Sequence, residues 1–315
     1  MKASIIIPTR NRFYQLTNLL QSLLPQIIVN KLENRVEIII VDDCSVDATK
    51  QKTMEFLDEL NFNFVRKFFL AERRGPSYAR NFGVGQSEGE IIIFLDDDLT
   101  TEKNFIAATL REHDAHPDQM VIVGDLKKLR DDFCSNYWFV QYDAAFNREK
   151  TDFYQVNLLS AGHFSIKRRL LNEATPLFDE LLPSREDYDL YLRLEEKGIA
   201  VFKSNNVVAY NDCRHSFLGL MKQYMWYAKG QYHLKRKYGA EFIARREPER
   251  RFSLGKKGLL VDFILRKAVM FTFYREQFKY ERSWKNGLRV LDALVSNRVL
   301  SSVYYNLKRL VLAKK

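Results

Sequence analysis

Apolar residues in the first 125 positions gather in short, unbroken, β-branched runs: SIIIP, VEIIIVDD, FNFVRK, EIIIFLDDD and MVIVGD. Unbroken Ile/Val runs, as opposed to alternating ones, predict strands covered on both faces, and the stretches between them are long enough for crossover helices. Residues 1–125 therefore predict a mostly parallel, doubly wound α/β sheet. From about 126 to 212 the pattern is mixed. An aromatic stretch from Tyr137 to Phe146, a strand-like LLSAGHFSI, a helix from about Arg185 to Lys197 and two short strands, AVFK and NVVAY, predict an α+β half. Residues 216–237 read as a helix, and amphipathic helices near 255–280 and 286–311 close the chain as a helical appendage.

Composition narrows the class. The 315 residues are 46% hydrophobic, enough to bury a full core without staples. Cys44, Cys134 and Cys213 are far apart and lack C-x-x-C spacing, so neither a disulfide framework nor a zinc ribbon is expected, and a reducing cytoplasm fits best. The apolar run of MKASIIIPTR is too short for a signal peptide. No stretch reaches the roughly 18 apolar residues of a membrane span; the nearest, around 259–274, is broken by Asp262, Arg266 and Lys267. Net charge is +10, yet residues 231–315 hold 21 Lys/Arg against 7 Asp/Glu, a local +14 that leaves −4 for the rest. Such asymmetry marks a part that meets an anionic surface joined to a part that does something else.

In an open parallel sheet, ligands bind beyond the carboxyl ends of the strands. Here those ends are acidic: Asp42 and Asp43 after the second run, Asp96, Asp97 and Asp98 after the fourth. Strand alternation would turn Asp96 and Asp98 to one side and Asp97 to the other, letting the first and third share a cation. Hard oxygen donors of this kind suit Mg²⁺ or Mn²⁺, which complete their shells with water and substrate phosphates. The plainer alternative is that these acids form loops or cap the helices that follow; against it, Thr100, Thr101 and Glu102 could cap the helix after the triplet, and Asp47 the helix after VDDC, which frees the other aspartates.

Taken in order, SIIIPTRNR, VDDCSVDAT, GPSYARNFGV, IIIFLDDDL and REDYDLYLRL resemble the inverting family-2 glycosyltransferases of the GT-A fold, of the type that builds bacterial cell-surface polysaccharides. The resemblance spans residues 3 to about 235 and implies a glycosyltransferase domain over 1–235, its nucleotide-binding half at 1–125 and acceptor half at 126–235, followed by a basic helical region at 236–315. It implies that Thr9, Arg10 and Asp42, with Asp43, hold the nucleoside, that Arg80 faces the donor, that Asp96 lies near the ribose, and that Asp97 belongs to the same donor-binding set. Asp98 is the implied metal ligand, with Asp96, for Mn²⁺ or Mg²⁺. Asp187 is the implied catalytic base, with Glu186 beside it; Ser184 and Asp187 also form the S-x-x-D of a capping box. Where the family has a metal-binding histidine this chain reads Asn211-Asp212, and His215 takes the role only through a short insertion. Gly162 resembles the family's small residue beneath the bound sugar, with a strand bulge as the structural alternative.

The implied partners are a nucleotide-sugar donor, expected to be a UDP-sugar, and a saccharide or lipid-linked saccharide acceptor. For the basic tail three readings stand: packing on the catalytic domain, a homodimer through the C-terminal helices, or peripheral attachment to an anionic membrane on its inner face. In the tail, Leu260, Phe263, Ile264, Phe271 and Phe278 form the expected apolar face. SIIIPTRNR has no glycine, which argues against a nucleotidyltransferase phosphate loop. Gly83, Gly85 and Gly89 precede a strand and open no helix, which argues against a dinucleotide fold. No nucleic-acid module is recognisable, so nucleic acid is not an expected partner. A non-catalytic glycan-binding relative is the competing function.

Overall fold

The computed structural model describes residues 1–146, 151–160, 162–239, 241 and 255–281. The described strands form one sheet: β1 (Ala3–Thr9), β2 (Val36–Asp42), β3 (Val65–Phe69), β4 (Ile91–Leu95), β5 (Leu99–Thr101), β6 (Val121–Lys128), β7 (Phe153–Val156), β8 (His163–Lys167) and β9 (Val201–Asn211). Their order is β3-β2-β1-β4-β8-β6-β9-β5, with β7 paired to β9. The helices are α1 (Phe13–Val29), α2 (Asp47–Leu60), α3 (Pro76–Gln86), α4 (Phe105–Ala115), α5 (Phe133–Phe146), α6 (Glu186–Glu196), α7 (Phe217–Tyr238) and α8 (Gly255–Glu281).

The Ile/Val runs do what their continuity predicts. Every residue of β1, β2 and β4 is buried, and β3, β2, β1 and β4 run parallel. Beyond β4 the sheet departs from the expected parallel rhythm, because β8 enters antiparallel between β4 and β6. The two short strands expected at AVFK and NVVAY are one strand, β9, which follows β6 in parallel with a register shift at Gly124/Asp125. A bulge lets one long strand bend where two short ones were expected. The aromatic stretch is helical, being most of α5, and its side chains Tyr142 and Phe146 lie around the buried Lys203 ammonium, which also bonds Asp125 at 2.7 Å.

Two compact units emerge: Met1–Leu181 with Glu186–Cys213, and Leu182–Arg185 with Arg214–Lys315. In the second, α7 and α8 pack on one another, with Tyr232 edge-on to Phe273 at 5.4 Å. The buried line of α8 is Val261, Leu265, Thr272 and Glu276, whereas Ile264, expected on the apolar face, is exposed. Leu260, Phe263 and Phe278 have side chains outside the described set, as has the whole helix expected at 286–311. Among the described residues, no helix is long and apolar enough to cross a membrane.

Candidate active site

Parallel pairing of Thr9 with Asp42 brings the loops after β1 and β2 side by side, and β4 on the other flank of β1 delivers the aspartate triplet. Both loops are bent through left-handed residues, Asn11 at φ 53° and Cys44 at φ 57°. Such conformations cost energy for non-glycine residues and cluster where function demands a particular backbone. They are held by side chains: Asn11 Oδ1 accepts the Val46 N–H at 2.9 Å, and Ser45 Oγ accepts the Asn11 N–H at 2.8 Å.

Asp42 is buried. Its Oδ1 accepts the Ser45 N–H at 2.6 Å, while its Oδ2 has no hydrogen-bond partner among the described residues. In the neighbouring loop the Arg10 Nε is equally buried and unpartnered. Buried polar atoms without partners are costly, and an acceptor and a donor left open at the carboxyl edge of a sheet are a place for a ligand. Asp43 is differently employed: its two oxygens accept the backbone N–H groups of Arg74 at 2.6 Å and Gly75 at 3.0 Å, fixing the entry to α3.

The triplet does not follow strand alternation. β4 ends at Leu95 and Asp96, Asp97 and Asp98 turn away, so the side-to-side rule no longer applies. The residues that share a cation are Asp97 and Asp98, and the cation is Arg12, whose Nη1 stands 2.7 Å from Asp97 and 2.9 Å from Asp98. Thr9, expected at the nucleoside, donates its hydroxyl to Asp97 at 2.7 Å. Burial lifts the Asp97 pKa to about 6, against the pull of Arg12 and with the push of Asp98. Burial also opposes the Arg12 charge, but Asp97 and Asp98 outweigh it and raise the guanidinium pKa. Arg12 lies inside the SIIIPTRNR run, yet nothing local in the sequence names its partners, which come from 85 and 86 residues away.

Asp96 is engaged by a different cation, accepting from Arg80 Nη2 at 2.6 Å, while Arg80 Nη1 donates to Glu186 at 2.8 Å. Arg80 is thus engaged by carboxylates on both sides at 3% exposure, and they raise its pKa against the effect of burial. Gly162 lies against Asp96: a Cβ there would come within 2.5 Å of Asp96 Oδ2. The side chain that a larger residue would obstruct is therefore the aspartate itself.

Asp187, half-buried, stands in the first turn of α6 with Glu186 and Asp189. Ser184, expected as its cap, donates its hydroxyl to the Trp226 carbonyl at 2.8 Å within the second unit. Arg185, just before α6, has φ 67°, a third left-handed position bordering a candidate residue. The expected capping by Thr100, Thr101 and Glu102 does not occur: Thr100 and Thr101 form part of β5, where Thr101 bonds Ser22 and Gln26, and α4 opens after Asn104. Antiparallel pairing of Leu99 with Asn211 seats Asn211-Asp212 beside the triplet, the Asp212 N–H bonding the Asp98 carbonyl at 2.9 Å. Asp212 is paired with Arg130. His215 belongs to the second unit, exposed one residue before Ser216, the N-cap of α7.

No group of three or more His, Cys, Asp or Glu gathers into a metal cage among the described residues. The donor chemistry nevertheless fits Mg²⁺ or Mn²⁺ carried by a diphosphate, since such an ion takes only one or two protein carboxylates. Asp96 and Asp98 offer these, with side chains 36% and 16% exposed.

A mixed sheet with a parallel edge, acidic strand ends and a carboxylate-bearing helix across from them defines the GT-A class of fold. Residues 4–174 match the family model described as glycosyl transferase family 2, and the chain belongs to that family. Among its relatives is the poly(ribitol-phosphate) β-N-acetylglucosaminyltransferase TarS of Staphylococcus aureus, 34% identical over 125 residues, which are 39% of this chain and 21% of that protein. The chain thus spans about a fifth of that relative's length. A Methanococcus voltae dolichyl N-acetyl-α-D-glucosaminyl phosphate 3-β-D-2,3-diacetamido-2,3-dideoxy-β-D-glucuronosyltransferase is 25% identical over 239 residues, 72% of each chain. The fold is shared with the mannosyltransferase PcManGT of Pyrobaculum calidifontis, solved with GDP-Man and Mn²⁺ (TM-score 0.59, 16% identity, 99% of this chain and 80% of that one). It is shared also with S. aureus TarS 1–349 in complex with UDP-GlcNAc (TM-score 0.55, 21% identity, 93% of this chain and 80% of that one).

Proposed function

We propose that this chain transfers a sugar from a nucleotide-diphosphate donor, a UDP-sugar, to a saccharide or lipid-linked saccharide acceptor by direct displacement with inversion. The observation that carries the reading is the gathering, in one unit, of an open buried acceptor on Asp42, the Asp96–Asp98 turn and the first turn of α6, the latter two joined through Arg80. Asp42 Oδ2 would accept the imide N–H of the base, and Arg10 Nε would donate to a neighbouring carbonyl. Asp96 would accept from ribose hydroxyls. Mn²⁺ or Mg²⁺, held by Asp98 with Asp96, would neutralise charge on the departing diphosphate. Asp187 would take the proton from the acceptor hydroxyl as that oxygen attacks the anomeric carbon. A positioned base of this kind contributes roughly 10²–10⁴ in rate.

A thermal-shift screen of nucleotide sugars with and without Mn²⁺ tests the reading. A cognate donor at about 100 times its dissociation constant adds about 2.7 kcal/mol to stability. Failure of every nucleotide to stabilise the protein, with either ion, refutes it.

A further inference from the structure

The buried guanidinium of Arg80 is bound on both sides and reaches between two parts of the site. It projects from α3 with Nη2 on Asp96, Nη1 on Glu186 and its plane over the Phe178 ring, 5.3 Å from the centroid. The next residue, Asn81, grips the same segment: its amide donates to the Phe178 carbonyl at 2.8 Å and accepts the Phe178 N–H at 3.1 Å. At 3% exposure Arg80 has little surface left for a phosphate. A planar fork with two opposed hydrogen bonds fixes the separation and direction of the groups it joins, which a single ammonium cannot do.

We propose that Arg80 and Glu186 are positioning residues, a strut that sets the first turn of α6, and so Asp187, against the Asp96 carboxylate. The inference rests on Asp187 being the base. It assigns the neighbouring pair different tasks: Glu186, 4% exposed, holds Arg80, while the half-buried Asp187 does the proton transfer. It also takes Arg80 out of direct donor contact and makes it the link through which the donor side and the acceptor side keep their spacing. Reaction geometry is steep in this respect, a displacement near 1 Å costing about 10²-fold in rate.

The test pairs calorimetric titration of UDP in MnCl₂ with the rate of UDP release from UDP-GlcNAc, or from whichever donor the screen selects. Glu186→Ala is expected to lower kcat about 10²-fold with UDP affinity unchanged. Glu186→Gln keeps an oxygen for Arg80 to bond and is expected to recover most of that loss. Arg80→Lys, which cannot span both carboxylates, is expected to lower kcat more than it lowers UDP affinity, since Asp96 also meets the donor, and it decides the matter should Glu186→Ala fail to fold. The proposal is overturned by a kcat unchanged in Glu186→Ala, by UDP affinity falling in step with kcat in either variant, or by Glu186→Gln being as inactive as Glu186→Ala, which would make Glu186 the base. Absence of UDP binding by the unsubstituted protein overturns the functional reading itself, and the strut with it.

Discussion

Gly162→Ala asks the most of the site for the smallest change. The added methyl would sit 2.5 Å from Asp96 Oδ2 and 2.8 Å from its Cγ, where ordinary contact begins at 3.4 Å. Relief therefore requires a shift of about 0.9 Å, and the backbone offers little of it. Gly162 holds the Asp96 N–H at 3.0 Å, and the next residue, His163, is in register with Leu95. The carboxylate must yield, and its other oxygen is bound to Arg80 at 2.6 Å. A hydrogen bond to a charged group contributes about 1.5–3 kcal/mol, so its loss corresponds to roughly 10- to 150-fold in an equilibrium or rate that depends on it. Because the Asp96 side chain is about a third exposed, stability should fall by only about 1 kcal/mol. UDP release, measured beside urea unfolding, should fall by about 10²-fold. Gly85→Ala is the control: a Cβ at Gly85, on α3, meets nothing within 4 Å, so it should leave turnover alone and stabilise the helix by up to about 1 kcal/mol. Turnover in Gly162→Ala equal to that in Gly85→Ala would refute both the close packing and the importance of Asp96.

Arg12→Met should destabilise the fold by about 2 kcal/mol, since it strands the buried Asp97, the partial exposure of Arg12 keeping the loss moderate. It should also tighten Mn²⁺ binding by removing a competing cation from Asp98; weaker binding in an electron-spin-resonance titration would disprove the competition. The raised Asp97 pKa, about 6 against an ordinary 3.8, means that the folded state keeps a proton the unfolded chain loses between about pH 4 and 6. Its contribution is thus fully present below pH 4 and gone once pH passes 6. Urea unfolding of Asp97→Asn relative to the parent should shift in the variant's favour between pH 4 and 7, and a constant difference would contradict the burial effect. Asp187→Asn should retain UDP binding and lose at least about 10² of transfer rate; undiminished turnover would remove Asp187 as the base.

What the sequence determined by itself were the pieces whose causes are local. Short, unbroken, β-branched Ile/Val runs favour strands buried on both faces, so β1, β2 and β4 were legible, as were the acids at their ends and the helix opened by Glu186 and Asp187. Order and neighbourhood were not local and had to come from the fold. The insertion of antiparallel β8 between β4 and β6 depends on hydrogen-bond partners more than 40 residues away, and it is what lays Gly162 on Asp96. The pairing of Arg12 with Asp97 and Asp98, and of Arg80 with Asp96 and Glu186, likewise follows from strand order, because a charge seeks whichever opposite charge the fold brings near. Alternation misdirected the triplet for the same reason: it holds while a strand lasts, and where β4 stops is decided by its neighbours in the sheet, not by the acids that follow it.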